Sequence, residues 1–473
     1  MDTQRVLDLF HIITTIPRES GHEGPITAWL QQWAAEHSLK CKTDPTGNVL
    51  IIREASKGRE NVPTIVLQSH QDMVCEKIEG SAHDFSKDPI DYVIEDGWMI
   101  AKETTLGADD GIGIAASLAL LESPLEMGRV EALFTISEET GMDGAEALES
   151  GFFDGMTLIN LDSEDEGQLF IGCAGGVNTE AECTFPVSSQ DKGSCEVQIS
   201  ISGAIGGHSG DDINKERVNA VQQLARLLYS LPDGWRLVSF TGGGKPNAIA
   251  REARAVVSVA DPEAVCGHVS EFGRILSAEF HTTDPGVMLS CSSSDSAESA
   301  LSSADSRLFA GCLMSHPHGV IAMSQDIKGL VETSSNLASV RMPSAGVFVV
   351  RSSQRSSVMS ARDMAAAMVR AHMELIGARV EHLLPYPGWT PNMDSHILKV
   401  CVESYRRLFG EDPLVLAIHA GLECGLFLEK FPDLDMISFG PTLRGVHAPG
   451  ERLELASMDR FVQLLTDVVC NFK

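Results

Sequence analysis

The chain has 473 residues, with 36 Lys and Arg against 66 Asp and Glu, a formal charge of −30. A nucleic-acid partner needs a basic face, and no Lys/Arg cluster supplies one; the acidic surface also repels anionic membranes. The hydrophobic fraction is 43% and the mean hydropathy is 0.00, values of an ordinary globular protein, and no apolar run reaches the ~18 residues of a membrane span.

The length predicts two or three domains. Eleven cysteines fall at irregular spacing without a C-x-x-C pair. They read as reduced thiols of a cytoplasmic protein, not as a disulfide framework or a cysteine zinc site. The N-terminal MDTQRVLDLFHIITTIPRES lacks a basic start followed by an apolar run, so no signal peptide is expected.

In chain order, residues 24–39 have helical periodicity, with Pro25 suited to a first turn. Strands are expected at 48–53 (NVLIIR), 64–69 (TIVLQS), 129–136 (RVEALFTI) and 157–161 (TLINL), with a buried helix at 112–121 (IGIAASLALL). This alternation argues for an α/β sheet covered by helices. From about Glu180 the pattern changes. Residues 194–202 (SCEVQISIS) alternate as a strand with one wet face should. Helices follow at 215–230, 262–278 and 361–376, and strands near 236–241, 253–260, 319–324, 331–342 and 346–351. The Ser-rich stretch 290–306 reads as a polar turn leading into a helix. After PYPG at 385–388 the first style returns, with helices at 394–409, 421–430 and 458–472 and strands at 414–417 and 436–440. The expected fold class is α/β, a central mixed sheet with helices on both sides. It comprises residues 1–180 and 389–473 and is interrupted by an inserted α+β domain at 181–388.

The chemistry-bearing residues sit where these strands end, which is where open α/β folds place ligand sites. His70 and Asp72 (SHQD) follow the strand 64–69. Asp109 and Asp110 (GADDG) lie among glycines at the start of the buried helix, where a capping role is the plain alternative. Glu138 and Glu139 (SEETG) close the strand 129–136; adjacent acids repel unless a cation offsets them. Asp162 follows the strand TLINL, and His447 lies in a Gly/Pro-bracketed loop after MISFG. Each alone is equally a surface or turn residue. Their conjunction, imidazole and carboxylate without thiolate, suits Zn, Co or Mn. Three carboxylates and two imidazoles can hold two ions if one carboxylate bridges, an arrangement suited to hydrolysis of a peptide or amide bond.

These segments resemble the dizinc aminoacylase/carboxypeptidase family of co-catalytic metallopeptidases. Further segments support the likeness: Gly206–Gly210 (GGHSG), Lys245–Ile249 (KPNAI) and Ile418–Gly425 (IHAGLECG). The resemblance spans nearly the whole chain and implies two divalent ions, most often Zn. Asp109 would bridge them, with His70 and Asp162 on one ion and Glu139 and His447 on the other. Glu138 would be the general base acting on metal-bound water, and Asp72 would orient His70. A cis peptide would follow Asp109. The inserted domain would be a lid and dimerisation domain, with His208, Asn247, Arg351 and His419 as candidates for substrate binding. Asp110 stands where relatives often carry Asn. The expected activity is hydrolysis of dipeptides with broad specificity, Xaa-His dipeptides such as β-alanyl-histidine included, by a cytoplasmic homodimer with no nucleic-acid or membrane partner. An N-acyl amino acid deacylase and a catalytically inactive binding relative are the alternatives. A two-metal phosphatase or nuclease is disfavoured by the missing basic cluster and phosphate loop.

Overall fold

The computed structural model describes residues 1–294 and 299–473. The chain forms two compact units: Met1–Gly172 with Trp389–Ala417 and Leu422–Lys473, and Cys173–Gly388 with Ile418–Gly421. It enters the second unit at Cys173 rather than at 181. The cause is the strand Gly175–Thr184, which pairs on its two sides with Val347–Ser356 and Arg379–Tyr386. Residues 418–421 join that unit as well, the carbonyls of Ile418 and Ala420 both accepting from the Ala174 N–H at 3.1 and 3.0 Å.

The first unit is built on an eight-stranded mixed sheet. Its order is Lys40–Thr43, Val49–Arg53, Val130–Thr135, Ile65–His70, Thr157–Asn160, Asp435–Ser438, Gln168–Cys173 and Leu414–Ile418. The central four strands are parallel, so their carboxyl ends emerge side by side. Ile65–His70, Val130–Thr135 and Thr157–Asn160 are buried at every position. This is why they read as continuous apolar runs rather than alternating ones. The helix Ala108–Glu122 packs on Ile65–His70 and on the N-terminal helix Thr3–Ile13. Ala108–Glu122 is buried almost throughout, as an apolar helix must be.

Thr3–Ile13 is absent from the sequence expectations although its signal is present. Asp2 caps it, its side chain accepting from the Gln4 N–H, and Val6, Leu9, Phe10 and Ile13 form its buried face. The hairpin Tyr92–Glu95/Trp98–Ala101 is likewise unexpected. It turns at Asp96–Gly97, both with positive φ, a frequent two-residue hairpin signal.

The second unit has a nine-stranded antiparallel sheet in the order Met288–Ser293, Cys195–Ser202, Ala253–Val259, Arg236–Gly243, Val331–Ser344, Val347–Ser356, Gly175–Thr184 and Arg379–Tyr386, with Gly319–Met323 paired to Val331–Ser344. Val197, Ile199 and Ile201 turn inward to meet Leu224, Leu227 and Leu228 of the helix Ala220–Ser230. That helix starts at Asn219, whose side chain accepts from Gln222 N–H, a cap worth about 1 kcal/mol.

Two expectations change here. The Ser-rich stretch does lead into a helix, but two strands precede it rather than a turn alone. Met288–Ser293 pairs with Cys195–Ser202, Ser299–Leu301 pairs with Val187–Ser189, and the helix Ser303–Ser315 begins after the Ser302 cap; positions 295–298 of that stretch lie outside the described residues. The cysteines are not all thiols. Cys266 and Cys291 form a disulfide, and the nine other cysteines carry none among the described residues. The helix Pro262–Glu279 packs on the strand Met288–Ser293, and this brings together two cysteines whose spacing in sequence carries no signal.

A pH dependence follows from the second unit. His316 is 2% exposed, and its Nδ1 donates to the Pro317 carbonyl at 3.0 Å. Burial lowers its pKa to about 3. The unfolded chain binds this proton below the ordinary value of about 6.5 and the folded chain does not, so stability falls as pH drops below 6.5. At pH 5 the loss is roughly 2 kcal/mol. Denaturant unfolding of wild type and His316→Asn at pH 7 and pH 5 measures it: the variant is expected to lose about 2 kcal/mol less over that range, while His318 and His419, lowered to about 4 by burial, keep their own share of the dependence.

Candidate metal centre

The four central strands and one helix start bring the acids and imidazoles of the first unit together. His70 is the last residue of its strand, and Glu138 and Glu139 open the short helix Glu138–Gly141 just past Val130–Thr135. Asp162 lies just past Thr157–Asn160, and His447 sits in the loop beyond Asp435–Ser438. Its φ is 62°, a left-handed conformation uncommon outside glycine that clusters at functional loops. Asp109 stands at the start of Ala108–Glu122, where the backbone is not yet helical and the Asp109–Asp110 peptide is cis.

Asp109 is central. Its Oδ1 lies 3.0 Å from His70 Nε2 and its Oδ2 lies 3.1 Å from His447 Nε2, so each carboxylate oxygen faces a different imidazole. His447 Nε2 is also 2.9 Å from Glu139 Oε1, and His70 Nε2 is 3.7 Å from Asp162 Oδ1. Two donor triads result, His70–Asp109–Asp162 and Asp109–Glu139–His447, each with its ligand atoms within 4.8 Å of one another. They share one carboxylate, as a two-ion site requires. A third grouping, His70–Glu138–Glu139, meets the same limit. The donors fit divalent ions of the Zn, Co or Mn type.

The electrostatics are those of a site built for cations. Burial pushes Asp162 well above the carboxylate range, and the Asp109 charge adds to it. Burial likewise raises Asp110 to about 8, with Asp109 again contributing and His70 opposing. Glu138 is raised to about 8 by burial and by the charges of Glu423, Glu139 and Asp109, against the pull of His70. Burial disfavours the His70 imidazolium, yet hydrogen bonds to Asp109, Asp162 and Asp72 hold its pKa well above the usual value. His447 is raised to about 10 by Asp109 and Glu139. Acids that resist ionising beside imidazoles that resist neutrality describe one excess of negative charge. Two bound divalent ions would neutralise it.

Asp72 is buried behind this cluster and has a pKa of about 2. Burial opposes that ionisation, and His70, Ser20 and the Glu138 N–H outweigh it. His70 Nδ1 lies 3.3 Å from its Oδ1 and 3.1 Å from its backbone carbonyl, and the Glu138 and Glu139 N–H groups donate to its two oxygens at 3.1 and 3.2 Å. With Nδ1 held by Asp72, His70 Nε2 is the nitrogen that would face an ion shared with Asp109 and Asp162.

Below the ligands runs a row of polar residues that the sequence expectations do not contain. Gln68 Nε2 (2.6 Å) and Thr135 Oγ1 (2.8 Å) donate to Glu423 Oε2. Asn160 Nδ2 donates to Gln68 Oε1 at 2.6 Å, and Ser438 Oγ to Asn160 Oδ1 at 2.5 Å. The row ties together the ends of the four parallel strands. Its trace in the sequence is a lone amide inside an apolar run, Gln68 in TIVLQS and Asn160 in TLINL.

The remaining expected residues belong to the second unit. His208 and Asn247 share a small hairpin, Gly207–His208 paired with Ala248–Ile249, in which the Ser209 N–H donates to the Asn247 carbonyl at 2.9 Å. His208 Nδ1 lies 3.3 Å from the Gly210 N–H nitrogen and 3.3 Å from Asp211 Oδ2, which orients the ring. His419 is buried, its Nε2 2.8 Å from Ser334 Oγ, and its pKa falls to about 4, first through burial and then through Arg355. Arg351 is half exposed, and its Nε donates to Glu180 at 2.6 Å. Arg355, four residues further along the same strand, is 8% exposed with a partnerless Nε among the described residues. Its charge acts on Asp211, His419 and Tyr386.

This geometry agrees with the comparison to known proteins. The profile of peptidase family M20/M25/M40 matches residues 66–471. The chain belongs to that family. It is 37% identical over 474 aligned positions to the cytosol non-specific dipeptidase of Escherichia coli K12, covering 99% of this chain and 98% of that protein. The crystal structure of aminoacylhistidine dipeptidase from Vibrio alginolyticus superposes with a TM-score of 0.92 at 36% identity, covering 99% of this chain and 96% of that one. Aminopeptidase PepT from Bacillus cereus shares the fold at a TM-score of 0.58 and 15% identity, covering 99% and 98% of the two chains. The chain is thus a metal-dependent hydrolase of peptide bonds with a mixed α/β core. No helix among the described residues is long and apolar enough to cross a membrane.

Proposed function

We propose that this protein is a two-metal dipeptidase of broad specificity, acting on Xaa-His dipeptides such as β-alanyl-histidine among others. The observation that carries the reading is the Asp109 carboxylate, which presents one oxygen to His70 and the other to His447. In this reading His70, Asp109 and Asp162 hold one ion, and Asp109, Glu139 and His447 the other, most often Zn. When bound, such a pair polarises the scissile carbonyl and acidifies water.

The chain's own residues do the rest. Glu138 takes the proton from the attacking water at its carboxylate and passes it to the leaving nitrogen. Asp72 holds the imidazole of His70 and the backbone of Glu138 and Glu139 in register, which keeps base and ligands at fixed separation. The second unit serves as lid. His208 donates to the developing oxyanion, and Asn247 beside the same hairpin contributes a side-chain amide. For a substrate carboxylate, Arg351 and Arg355 are the candidates, since a guanidinium can grip it in a bidentate way; Arg355 has a buried, unpartnered Nε among the described residues. His419 supports Ser334 and the Arg355 neighbourhood rather than contacting substrate. A cytoplasmic location is supported by the name of the E. coli relative, and a homodimer by the resemblance; sedimentation tests the latter.

The test is a panel of dipeptides and N-acyl amino acids, run on metal-replete and chelated protein. Dipeptides, β-alanyl-histidine included, are expected to turn over only with metal. Turnover confined to N-acyl amino acids would make the protein a deacylase instead, and turnover of neither would make it a binding relative.

A further inference from the structure

Two buried charged side chains behind the Asp109 segment have no part in the reading above. The Glu451 carboxylate is 2% exposed and accepts four backbone N–H groups. Leu106 (2.7 Å) and Gly107 (3.0 Å) donate to Oε2, and Ala108 (2.8 Å) and Asp109 (3.4 Å) to Oε1. Arg18, also 2% exposed, takes the opposite polarity. Its guanidinium donates to the carbonyls of Gln71 (3.1 Å), Asp72 (2.7 Å) and Gly107. Gly107 has φ +69°, and a Cβ there would stand 2.5 Å from Arg18 Nη2, so glycine is what lets the segment close on the guanidinium.

Glu451 also belongs to the loop that carries His447. Its N–H donates to Ala448 O at 3.1 Å, and the Gly450 N–H donates to Thr104 O at 3.0 Å. One side chain therefore fastens the segment that ends in Asp109 to the loop that holds His447. A buried carboxylate is tolerated only when its oxygens are satisfied, and here all four acceptor positions go to a single stretch of backbone. The triad His70–Asp109–Asp162 draws two of its members from strand ends that the sheet fixes directly. The triad Asp109–Glu139–His447 takes its histidine from the loop between the paired strands Leu443–Arg444 and Arg452–Glu454, three residues beyond the first strand's end, and Glu451 stands at the foot of that loop.

We propose that Glu451 is a positioning residue for the second ion. Opposed by Arg18, it fixes Asp109 against His447 and sets the affinity of the Asp109–Glu139–His447 triad, while the other triad depends on it little. The proposal rests on the two-ion reading, and its test separates the two.

The experiment is a Co(II) titration of the full-length apoprotein, followed by visible absorption and by equilibrium dialysis. The wild type is expected to bind two ions; fewer than two would remove the reading on which the proposal rests. Glu451→Gln keeps the shape but turns an N–H2 group toward backbone N–H groups. It is expected to raise the dissociation constant of one ion roughly 10–100-fold, to shift that ion's absorption, and to leave the other ion's binding close to wild type. Glu451→Asp keeps the charge and should fall between the two; it also serves if Glu451→Gln does not fold. A folded variant that binds both ions with wild-type affinity and spectrum would overturn the proposal, even if it melts at lower temperature. So would equal weakening of both ions.

Discussion

Glu138→Ala is expected to lower kcat for dipeptide hydrolysis roughly 10²–10⁴-fold, the usual contribution of a positioned general base, while two ions remain bound per chain. Glu138 has the placement for that role. Its backbone N–H donates to Asp72 at 3.1 Å, it adjoins the candidate ligand Glu139, and burial and neighbouring acids raise it to about 8. The variant also decides between two roles, since His70, Glu138 and Glu139 form a metal-capable grouping of their own. If Glu138 is a ligand rather than the base, Glu138→Ala loses an ion. Metal content by atomic absorption and kcat on one dipeptide are read from the same preparation.

Asp109→Asn has the larger expected effect on the metals. Asp109 is the shared member of both triads, and its two oxygens stand 3.0 and 3.1 Å from the two imidazoles. The amide removes the negative charge and one acceptor oxygen. Both ions then lose a ligand, and the two imidazoles lose the anion that holds their pKa values up. Metal stoichiometry is expected to fall from two to one or none at micromolar free metal. A metal pair supplies several kcal/mol of transition-state stabilisation, so kcat/KM should fall by several powers of ten. Asp110→Asn is the contrast. Asp110 is raised to about 8 and accepts from the Gly113 N–H at 3.1 Å, so a neutral amide suits its place, and both ions should stay bound.

What the sequence made legible, and what it hid, follows from which interactions have a periodic or terminal signature. The four parallel strands are buried on both faces, so they stand out as apolar runs, and the residue that follows each run is a candidate ligand. This is how His70, Glu138, Glu139, Asp162 and His447 could be found from strand ends. Asp109 could be found because three glycines and a second Asp open an apolar helix. Arg18 and Glu451 left no such mark, because their partners are backbone groups far along the chain. Their meeting is decided by the fold, not by spacing. Arg351 and Arg355 lie on one strand four residues apart, and burial and the Glu180 ion pair, which the spacing does not reveal, distinguish them. The edge strands Met288–Ser293 and Arg379–Tyr386 are half exposed and polar, so neither continuous hydrophobicity nor clean alternation marks them. The Cys266–Cys291 link depends on a helix packing on one of those strands.

The most direct test of the account is metal stoichiometry coupled to activity. The apoprotein is titrated with Zn(II) or Co(II) while bound metal and hydrolysis of one dipeptide are measured together. Saturation at two ions per chain is expected, with activity absent from the apoprotein, restored by metal and abolished again by a chelator. Saturation at one ion, or dipeptide hydrolysis by the fully stripped protein, would contradict a site in which Asp109 joins two metal triads.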